Sequence, residues 1–448
     1  MVTAGDTIAA VATPPGVGGI GVLRVSGPTV RAVASVLLGD VPAPRHAAFR
    51  AFRDAAGREI DRGLAIYFPA PFSFTGEDVL ELHAHGSPVV LDMLLARLVQ
   101  LGARLARPGE FSERAFLNGK IDLAQAEAIA DLVNASSEAA ARSAARSLAG
   151  AFSQEVHELV EALVALRTHV EAAIDFPEEE IDFLADARVR DELAAIRSRL
   201  ANLTRNARQG ALLQAGMTLV LAGAPNAGKS SVLNALAREE AAIVSPTAGT
   251  TRDIVRAHIA IDGLPVHVLD TAGLREGGEA IEREGMTRAR AAMARADHVL
   301  VVLDDNERDH DVASLLSHVP ADISRTLLYN KIDLTGRPAG EFVTPAGVAL
   351  AISAKSGAGL DALRAHLKHR MGYQPAGEGG FIARRRHLDA LARAGTHLDL
   401  AAEQADQRAG ELLAEELRGA QRVLGEITGA FTTEDLLSRI FTSFCIGK

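Results

Sequence analysis

A glycine-rich octapeptide in the middle of the chain has the residue types and spacing that bind a nucleoside triphosphate. It reads GAPNAGKS over residues 223–230, matches G-x-x-x-x-G-K-[ST], and lies between a β-prone run and a helical stretch. In such a loop, backbone N–H groups converge on phosphate oxygens, Lys229 reaches the β- and γ-phosphates, and the Ser230 hydroxyl binds Mg²⁺. The N-terminus of the following helix adds a favourable field for the anion. The pattern predicts a P-loop.

A second motif predicts which base is bound. Asn330-Lys331-Ile332-Asp333 follows a β-prone run, and the Asp333 carboxylate can accept hydrogen bonds from both the N1 and N2 donors of guanine. Adenine lacks the exocyclic donor and would leave that acceptor unpaired, at a cost of about 1–3 kcal/mol or more. Ser353-Ala354-Lys355, after a later strand, completes the pocket. GTP is therefore the predicted nucleotide.

Two segments between these motifs have the residues of GTPase switches. In the first, GTTRD over residues 249–253, the Thr251 hydroxyl is the candidate to reach Mg²⁺ and sense the γ-phosphate. In the second, DTAG over residues 270–273, we expect Asp270 to hold Mg²⁺ through water and Gly273 to offer its N–H to the γ-phosphate.

The residue that follows the second switch motif raises a question about catalysis. Ras-like proteins have a glutamine there that orients the attacking water, but this chain has Leu274. An aliphatic side chain can neither accept a proton nor orient water. If the protein hydrolyses GTP, another group must activate the water.

Four further features are open to two interpretations each. The run 16–21 satisfies G-x-G-x-x-G, but β-prone residues follow it, which favours a loop or bulge over a dinucleotide site. Glu81, His83 and His85 alternate along a strand and are either a metal site or a polar face. Arg384-Arg385-Arg386 is either a solvated helix face or a tRNA phosphate contact. Cys445 either packs or lines a site.

Composition limits the class of protein. A chain of 448 residues predicts roughly three domains, and its formal charge of −10 argues against a general nucleic-acid coat while allowing a local basic patch. Its one cysteine excludes an internal disulfide and fits a reducing compartment. We expect neither a signal peptide, since Pro14-Pro15 breaks the first apolar run, nor a membrane span. The predicted location is the cytosol.

The arrangement of β-prone and helical segments predicts a multidomain protein. Residues 1–119 are expected to form an α+β domain, and residues 120–214 the first part of an all-helical domain. Residues 215–372 alternate between strand and helix, as in a Ras-like, doubly wound α/β P-loop GTPase domain. Residues 373–448 return to helical periodicity, so the α/β domain is predicted to be inserted into the helical one.

These motifs, together with PFSFTGEDVLELHAHG, RPGEFSERAFLNGKIDLAQAEAIADL and the terminal FCIGK, resemble the bacterial tRNA-modification GTPase family MnmE, also called TrmE. The resemblance covers essentially the whole chain. It implies a homodimer formed through N-terminal domains that bind a tetrahydrofolate derivative, in the 5-formyl or 5,10-methylene form. It also implies a heterotetramer with the flavoprotein MnmG, which installs an aminomethyl or carboxymethylaminomethyl group at C5 of the wobble uridine of certain tRNAs.

The resemblance also assigns residues. The implied folate-binding residues are Arg24, Glu81, Lys120 and Lys448. The family is similar to potassium-activated GTPases, so K⁺ is assigned to Asn226, Ser245, Thr247 and Thr250, and Mg²⁺ to Ser230 and Thr251. Motifs and resemblance together assign GTP binding to Asn226, Ala227, Gly228, Lys229, Ser230, Ser231, Ser245, Pro246, Thr247, Ala248, Gly249, Thr250, Thr251, Asp270, Thr271, Ala272, Gly273, Asn330, Lys331, Asp333, Ser353, Ala354 and Lys355.

The family also offers an answer to the question of Leu274. Of the nearby acids Glu276, Glu279, Glu282 and Glu284, only Glu282 matches the position of the family's catalytic glutamate. A carboxylate eight residues beyond Leu274 would orient the nucleophile through a bridging water. Its alternative is an exposed glutamate at a helix start.

Two other classes of function compete with tRNA modification. Ribosome-assembly factors use similar P-loop and NKxD motifs as a GTP switch, but commonly append a basic RNA-binding module, whereas this chain has a non-basic α+β head and FCIGK. A scaffold with a vestigial nucleotide site is disfavoured because the key motif residues are all present.

Overall fold

A computed structural model describes residues 5–175, 187–238, 257–270, 293–294, 296–307, 312–317, 319–320, 323–374, 380–431 and 433–447. The chain divides into two compact units, one made of residues 1–130 with 421–448 and the other of residues 131–420. The predicted domain boundaries at 119, 214 and 372 stay predictions.

Within these ranges the strands are β1 (Ile8–Val11), β2 (Gly18–Ser26), β3 (Ala48–Arg53), β4 (Glu59–Phe68), β5 (Val79–Gly86), β6 (Arg104–Leu105), β7 (Met217–Ala222), β8 (Ala257–Ile261), β9 (Leu264–Asp270), β10 (His298–Asp304), β11 (Ser324–Asn330), β12 (Gly340–Thr344) and β13 (Gly347–Ala351). The helices are α1 (Val30–Leu38), α2 (Pro88–Gln100), α3 (Glu110–Leu117), α4 (Leu123–Val133), α5 (Glu138–Leu148), α6 (Ala151–Asp175), α7 (Ala187–Ala215), α8 (Lys229–Arg238), α9 (Val312–Ser317), α10 (Ile332–Thr335), α11 (Leu360–Met371), α12 (Arg385–Asp406), α13 (Gly410–Thr428) and α14 (Glu434–Thr442).

The first unit contains a six-stranded sheet in the order β3-β4-β5-β2-β1-β6. Helices α1 and α2 pack on one face, where alternate residues such as Leu23 and Leu82 are buried. The intervening residues point to the other face, so Arg24 of β2 pairs in register with Glu81 of β5. The alternation predicted for this region is confirmed, and it places two polar side chains together on the face that these helices leave uncovered.

The glycine run 16–21 leads into β2, and the part of it that belongs to the strand contains a bulge. The register between β2 and β5 shifts between Gly18 and Gly21, and the strand continues to Ser26. A dinucleotide fingerprint requires a helix after the glycines, so that interpretation is excluded and the predicted loop or bulge is confirmed.

The C-terminal segment belongs to this unit. Phe441 and Phe444 pack against Leu123 at the start of α4. Gly447 has φ +94°, and a Cβ there would lie 2.5 Å from the Val11 carbonyl oxygen. The backbone just before the terminal lysine is therefore held against the end of β1.

The second unit contains the α/β sheet, in the order β12-β13-β11-β10-β7-β9-β8. The five inner strands are parallel, and both edge strands are antiparallel to their neighbours. Strand β10 is buried along almost its whole length, as parallel strands covered by helices on both faces are. The predicted fold class is confirmed: an α+β N-terminal region, a helical region and an α/β P-loop region.

The edge strand β12 has no clear signal in the sequence. Its residues alternate between partly buried and exposed, and Pro345-Ala346 forms the turn to β13. A proline next to a half-exposed run is typical of a loop, which is why the hairpin gave a weak signal.

The two long helices α6 and α7 each bury one face. Leu159, Leu163, Leu166 and Val170 of α6 are buried, as are Leu193, Ile196 and Leu200 of α7. This periodicity of buried residues agrees with the all-helical domain predicted for residues 120–214.

The chain enters and leaves the α/β region side by side. The side chain of Gln209 on α7 donates from Nε2 to the Gly372 carbonyl oxygen (2.9 Å) and accepts from the Gln374 N–H (2.9 Å). At the next residue, a Cβ at Gly210 would lie 2.1 Å from the Phe381 carbonyl oxygen. The Gln209 side chain thus joins α7, which leads into the α/β region, to the backbone that leaves this region at residues 372–374.

A buried histidine in the α/β region predicts acid-sensitive stability. His298 is fully buried, with Nδ1 2.9 Å from Ser324 Oγ and Nε2 3.0 Å from Thr326 Oγ1. Burial lowers the pKa of His298 from 6.5 to about 4, and the nearby His366 adds to the effect. Above pH 6.5 the histidine is neutral in both states, whereas between the two pKa values only the unfolded chain binds the proton.

We therefore expect the free energy of unfolding to fall by about 2 kcal/mol between about pH 7.5 and pH 5 from this group alone. Urea unfolding at both pH values measures it. His298→Asn should lose most of this pH dependence, while His369→Asn, at an exposed position of α11, should keep it. An unchanged pH dependence in His298→Asn would contradict the assignment to His298.

Candidate nucleotide site

The P-loop connects β7 to α8, and its backbone approaches neighbouring elements too closely for side chains at two positions. At Gly223 (φ +141°) a Cβ would lie 2.2 Å from the Val302 carbonyl oxygen. At Gly228 (φ +96°) it would lie 2.2 Å from Asn330 Nδ2. Both glycines of the predicted motif are therefore required by close approach, and Asn226 between them also has a positive φ of 62°.

Lys229 points its ammonium into the loop. The residue is the first of α8 and is 6% exposed, and Nζ donates to the carbonyl oxygens of Gly223 (2.9 Å) and Ala224 (2.8 Å). Ser230 and Ser231, in the same helical turn, are exposed. The Lys229 ammonium therefore lies at the N-terminus of α8, and helix N-termini of this kind bind phosphate groups.

Asn330 joins the P-loop to the base-recognition loops. Its side chain is buried, Nδ2 donates to the Ala227 carbonyl oxygen (3.1 Å), and Oδ1 accepts from the Ala354 N–H (3.0 Å). Because one amide group contacts both loops, it fixes the distance between the phosphate and base subsites. The sequence identified Asn330 as a site residue but did not predict this bridging role.

The residues predicted to bind guanine lie together around one cavity. Ser353 is buried and its Oγ donates to Asp333 Oδ1 (2.6 Å), which orients a carboxylate that is otherwise exposed. The cavity beside it has a volume of about 410 Å³, within the usual range for ligand sites. Its lining residues are Ser231, Asn234, Ala235, Asn330, Lys331, Asp333, Leu334, Ala354 and Lys355.

Asp304 was missed by sequence analysis. It ends β10 and accepts from Lys331 Nζ at 2.6 Å, while Lys331 itself has a positive φ of 70°. The signal was available, because Asp304 follows a buried strand whose end lies beside the NKxD motif. The ion pair fixes the aliphatic stem of Lys331 along the cavity wall.

Several predicted residues lie outside the described residues. They are Ser245, Pro246, Thr247, Ala248, Gly249, Thr250, Thr251, Thr271, Ala272, Gly273 and Glu282. Asp270 is described by its backbone only: it ends β9 and pairs in parallel register with Leu221. That register places its backbone at the same edge of the sheet as the P-loop.

In the first unit, two of the four residues assigned to folate are in direct contact. Arg24 donates from Nε and Nη2 to Glu81 Oε1 at 2.9 and 2.7 Å, and the side chains are 23% and 19% exposed. The guanidinium carbon lies 5.7 Å from the ring centroids of both Phe74 and Phe111. The pair therefore presents a charged, partly exposed surface beside aromatic rings.

Lys120 lies at the other side of the loop that carries Phe74. Its Nζ donates to the Pro71 carbonyl oxygen (3.0 Å), and a Cβ at Gly76 would lie 3.3 Å from its side chain. Lys448 lies outside the described residues. The loop 71–77 thus separates Arg24 from Lys120.

A cluster of ion pairs around the buried Arg114 contacts the loop 71–77 through Glu77. Arg114 is 3% exposed and donates to Glu77 Oε2 (3.0 Å), Asp6 Oδ1 (2.6 Å) and Glu110 Oε1 (3.2 Å). Burial alone would raise the pKa of Glu110, but the hydrogen bonds from Arg104 and the Arg107 N–H and the charges of Arg104 and Arg114 together outweigh burial and lower the pKa to about 2. Charges 108 residues apart in the chain meet here, as in Asp6 and Arg114, and sequence analysis missed the cluster.

The interpretation of Arg384 as a solvated or phosphate-binding residue was wrong. Arg384 is the N-cap of α12 and donates to Asp131 from Nη2 (2.7 Å) and Nε (3.1 Å). This bidentate pair between Arg384 and the buried Asp131 carboxylate fixes the start of α12. Arg385 beside it is exposed.

The other two open features are also placed. His85 Nδ1 lies 2.8 Å from Asp61 Oδ1, and His83 Nε2 lies 3.6 Å from Glu81 Oε2. In the part of the chain that the structure describes, no group of three or more His, Cys, Asp or Glu could hold a metal ion. Cys445 is exposed, and its carbonyl oxygen accepts from the Gly109 N–H at 3.3 Å.

Across the described ranges, no helix has the length and apolar character that crossing a bilayer requires.

Comparisons with known proteins agree over the full length. The family model for the GTP-binding protein TrmE N-terminus matches residues 7–120, and that for the MnmE helical domain matches residues 123–445. The tRNA modification GTPase MnmE of Stutzerimonas stutzeri (strain A1501) is 59% identical over 455 residues, covering 100% of both chains. The proteins of the same name from Sodalis glossinidius (strain morsitans) and Methylococcus capsulatus are each 56% identical, over 99% of both chains. A chain with this P-loop, this guanine pocket and full-length identity of this order belongs to the MnmE (TrmE) family.

Proposed function

We propose that this protein is a tRNA modification GTPase, as its full-length relatives are named, and that it adds an aminomethyl or carboxymethylaminomethyl group to C5 of the wobble uridine of certain tRNAs. It acts with the flavoprotein MnmG and uses a one-carbon unit from a tetrahydrofolate derivative. The observation that carries the GTPase part is the buried Asn330 amide, which joins an intact P-loop to an intact guanine pocket.

The residues at the P-loop fit GTP with Mg²⁺. Lys229 presents its ammonium to the β- and γ-phosphates, and the exposed Ser230 hydroxyl in the first turn of α8 is one Mg²⁺ ligand. Thr251 supplies the second protein ligand, with Asp270 acting through water. When bound, Mg²⁺ neutralises charge on the phosphate oxygens.

Potassium is proposed as a second cation at this site. Asn226 is exposed and lies in the P-loop with positive φ, so its side-chain oxygen is available beside the phosphate subsite. Ser245, Thr247 and Thr250 complete the proposed set. When bound, K⁺ supplies the charge stabilisation that an arginine finger supplies in other GTPases. Glu282 takes the catalytic role by orienting the attacking water.

The folate assignment rests on the surface formed by Arg24 and Glu81. The partly exposed Arg24 guanidinium beside the exposed Phe74 ring can hold the charged and planar parts of a 5-formyl or 5,10-methylene tetrahydrofolate, and Lys120 adds a second cation. The Phe111 ring, on which the same guanidinium packs, is buried. Lys448 completes the proposed set. Homodimerisation through the N-terminal domains, a heterotetramer with MnmG and a cytosolic location belong to the same proposal.

Deleting the gene from its host is expected to remove the modified wobble nucleoside. Mass spectrometry of nucleosides from bulk tRNA measures it. The wild-type gene should restore the modification and Lys229→Ala should not, because its P-loop lacks the ammonium for the phosphates. Arg142→Ala, which removes a cation exposed on α5, should restore it fully.

A GTP-switched ribosome-assembly factor is the competing function. Unchanged tRNA nucleosides in the deletion strain, together with an altered ratio of ribosomal subunits, would favour the ribosome-assembly function and contradict the proposed one.

A further inference from the structure

A groove runs between α7 and α12 in the helical part of the second unit. Its volume is about 690 Å³. The groove is lined by the small residues Ala201, Ala392 and Gly395 as well as by buried leucines, and a Cβ at Gly395 would come no closer than 3.9 Å to Leu200. The groove is open because the alanine and glycine positions carry little side-chain volume.

The charge of this groove has the opposite sign to that of the whole chain. Its charged lining residues are Arg197, Arg205, Arg208 and Asp399, which gives three positive charges and one negative, a net +2, in a chain of formal charge −10. The Arg197 guanidinium forms an ion pair with Asp399. The remaining positive charge therefore resides on two arginines.

Those two arginines are exposed and have no acidic partner in the described ranges. Arg205 donates to the side-chain oxygen of Asn202, a neutral acceptor that leaves the charge uncompensated. Arg208 is exposed one turn further along the same face of α7. Exposed guanidinium groups without acidic partners are suited to bind anionic oxygens through paired N–H donors.

The spacing along the helix fits a polyanion better than a single anion. From Arg197 to Arg208 is a rise of about 16 Å, a distance over which a nucleic-acid strand presents several phosphates. Ser198 lines the same groove and adds a hydroxyl donor, a side-chain type that contacts phosphate and sugar, whereas the Thr204 hydroxyl donates to the Leu200 carbonyl oxygen (2.8 Å). The small lining residues leave room for a nucleic-acid strand beside the arginines.

We propose that the α7–α12 groove binds the sugar–phosphate backbone of tRNA, with Arg205 and Arg208 as the principal contacts. This inference rests on the proposed function, which makes tRNA the substrate. We assign phosphate binding to this groove and not to Arg384-Arg385-Arg386, because Arg384 forms an ion pair with Asp131.

The test is equilibrium binding of unmodified tRNA to the full-length protein at a series of KCl concentrations. Arg205→Ala/Arg208→Ala should weaken binding about tenfold or more near physiological salt, and should reduce the slope of log K against log salt by about 1.4–1.8, since each of the two phosphate contacts contributes about 0.7–0.9. Arg205→Lys/Arg208→Lys should retain most of the affinity, because the charges remain.

The matched control removes the same charge elsewhere. Arg58→Ala/Arg142→Ala changes two highly exposed arginines that are paired with acids in their own segments, and should leave both affinity and slope unchanged. Circular dichroism and the thermal midpoint establish that each variant is folded. Equal affinity and slope for wild type and Arg205→Ala/Arg208→Ala would overturn the groove assignment and leave the proposed function standing. Failure of the wild type to bind tRNA at all would overturn both.

Discussion

Asp333→Asn is expected to change the base preference of the enzyme from guanine to xanthine. The carboxylate of Asp333 has acceptors for the two donors of guanine, and an asparagine amide would place a donor where one acceptor was. Guanine then loses a hydrogen bond and meets an opposed donor, whereas the C2 carbonyl of xanthine accepts from the new amide. The second oxygen can still accept from Ser353 Oγ, now 2.6 Å from Asp333 Oδ1, so the pocket keeps its geometry.

The expected loss for GTP is about 3 kcal/mol or more, roughly a hundredfold in affinity. Turnover of GTP and XTP by wild type and Asp333→Asn measures the ratio of kcat/KM values. Asp361→Asn removes the same charge from a fully exposed carboxylate on α11 and should leave the ratio unchanged. A preference for GTP that survives in Asp333→Asn would remove Asp333 from base recognition.

Replacing KCl by NaCl at equal ionic strength is expected to lower GTP turnover about tenfold or more, because the smaller ion fits a K⁺ site of fixed oxygens poorly and charge stabilisation is lost. Glu282→Ala should lower turnover by about a hundredfold or more in KCl, since Leu274 cannot orient the water in its place. Nucleotide affinity should change little in Glu282→Ala, because the proposed contact is with the attacking water and not with GTP.

Glu279→Ala is the matched control for this experiment, since it removes an acid of the same segment at a position that does not match the family's catalytic glutamate. It should keep both the rate and the potassium dependence. Equal rates in the two salts would remove the K⁺ assignment, and an unaffected Glu282→Ala would remove the catalytic one. The experiment therefore tests the K⁺ site and the catalytic role of Glu282 independently of each other.

The sequence predicted the nucleotide site well where a motif prescribes backbone geometry. The spacing of Gly223, Gly228 and Lys229 is short and local, so the P-loop and the strand and helix around it follow from chain order. The bridging role of Asn330 did not follow, because its partners Ala227 and Ala354 belong to separate segments. Their contact with Asn330 is set by the register of parallel strands and not by any pattern in the sequence.

The same reason accounts for the error at Arg384. Three consecutive arginines at a helix start predict solvent exposure, but Asp131 lies 253 residues earlier in the chain and meets Arg384 only in the folded unit. The ion cluster of Arg114, Asp6 and Glu77 was not predicted for the same reason, because its members are far apart in the sequence. The folate residues came from the family resemblance alone, since nothing in the type or spacing of Arg24 and Glu81 indicates a pterin.

The bridge made by Gln209 bears on how the chain tolerates changes of length. Because residue 209 contacts residues 372 and 374, the two ends of the α/β region are held together at the helix α7 that leads into it. The closure entropy of a chain segment changes slowly with its length, so we expect insertions and deletions in the surface loops of the α/β region to place little strain on the helices. The helices and the α/β region can therefore vary in length independently of each other.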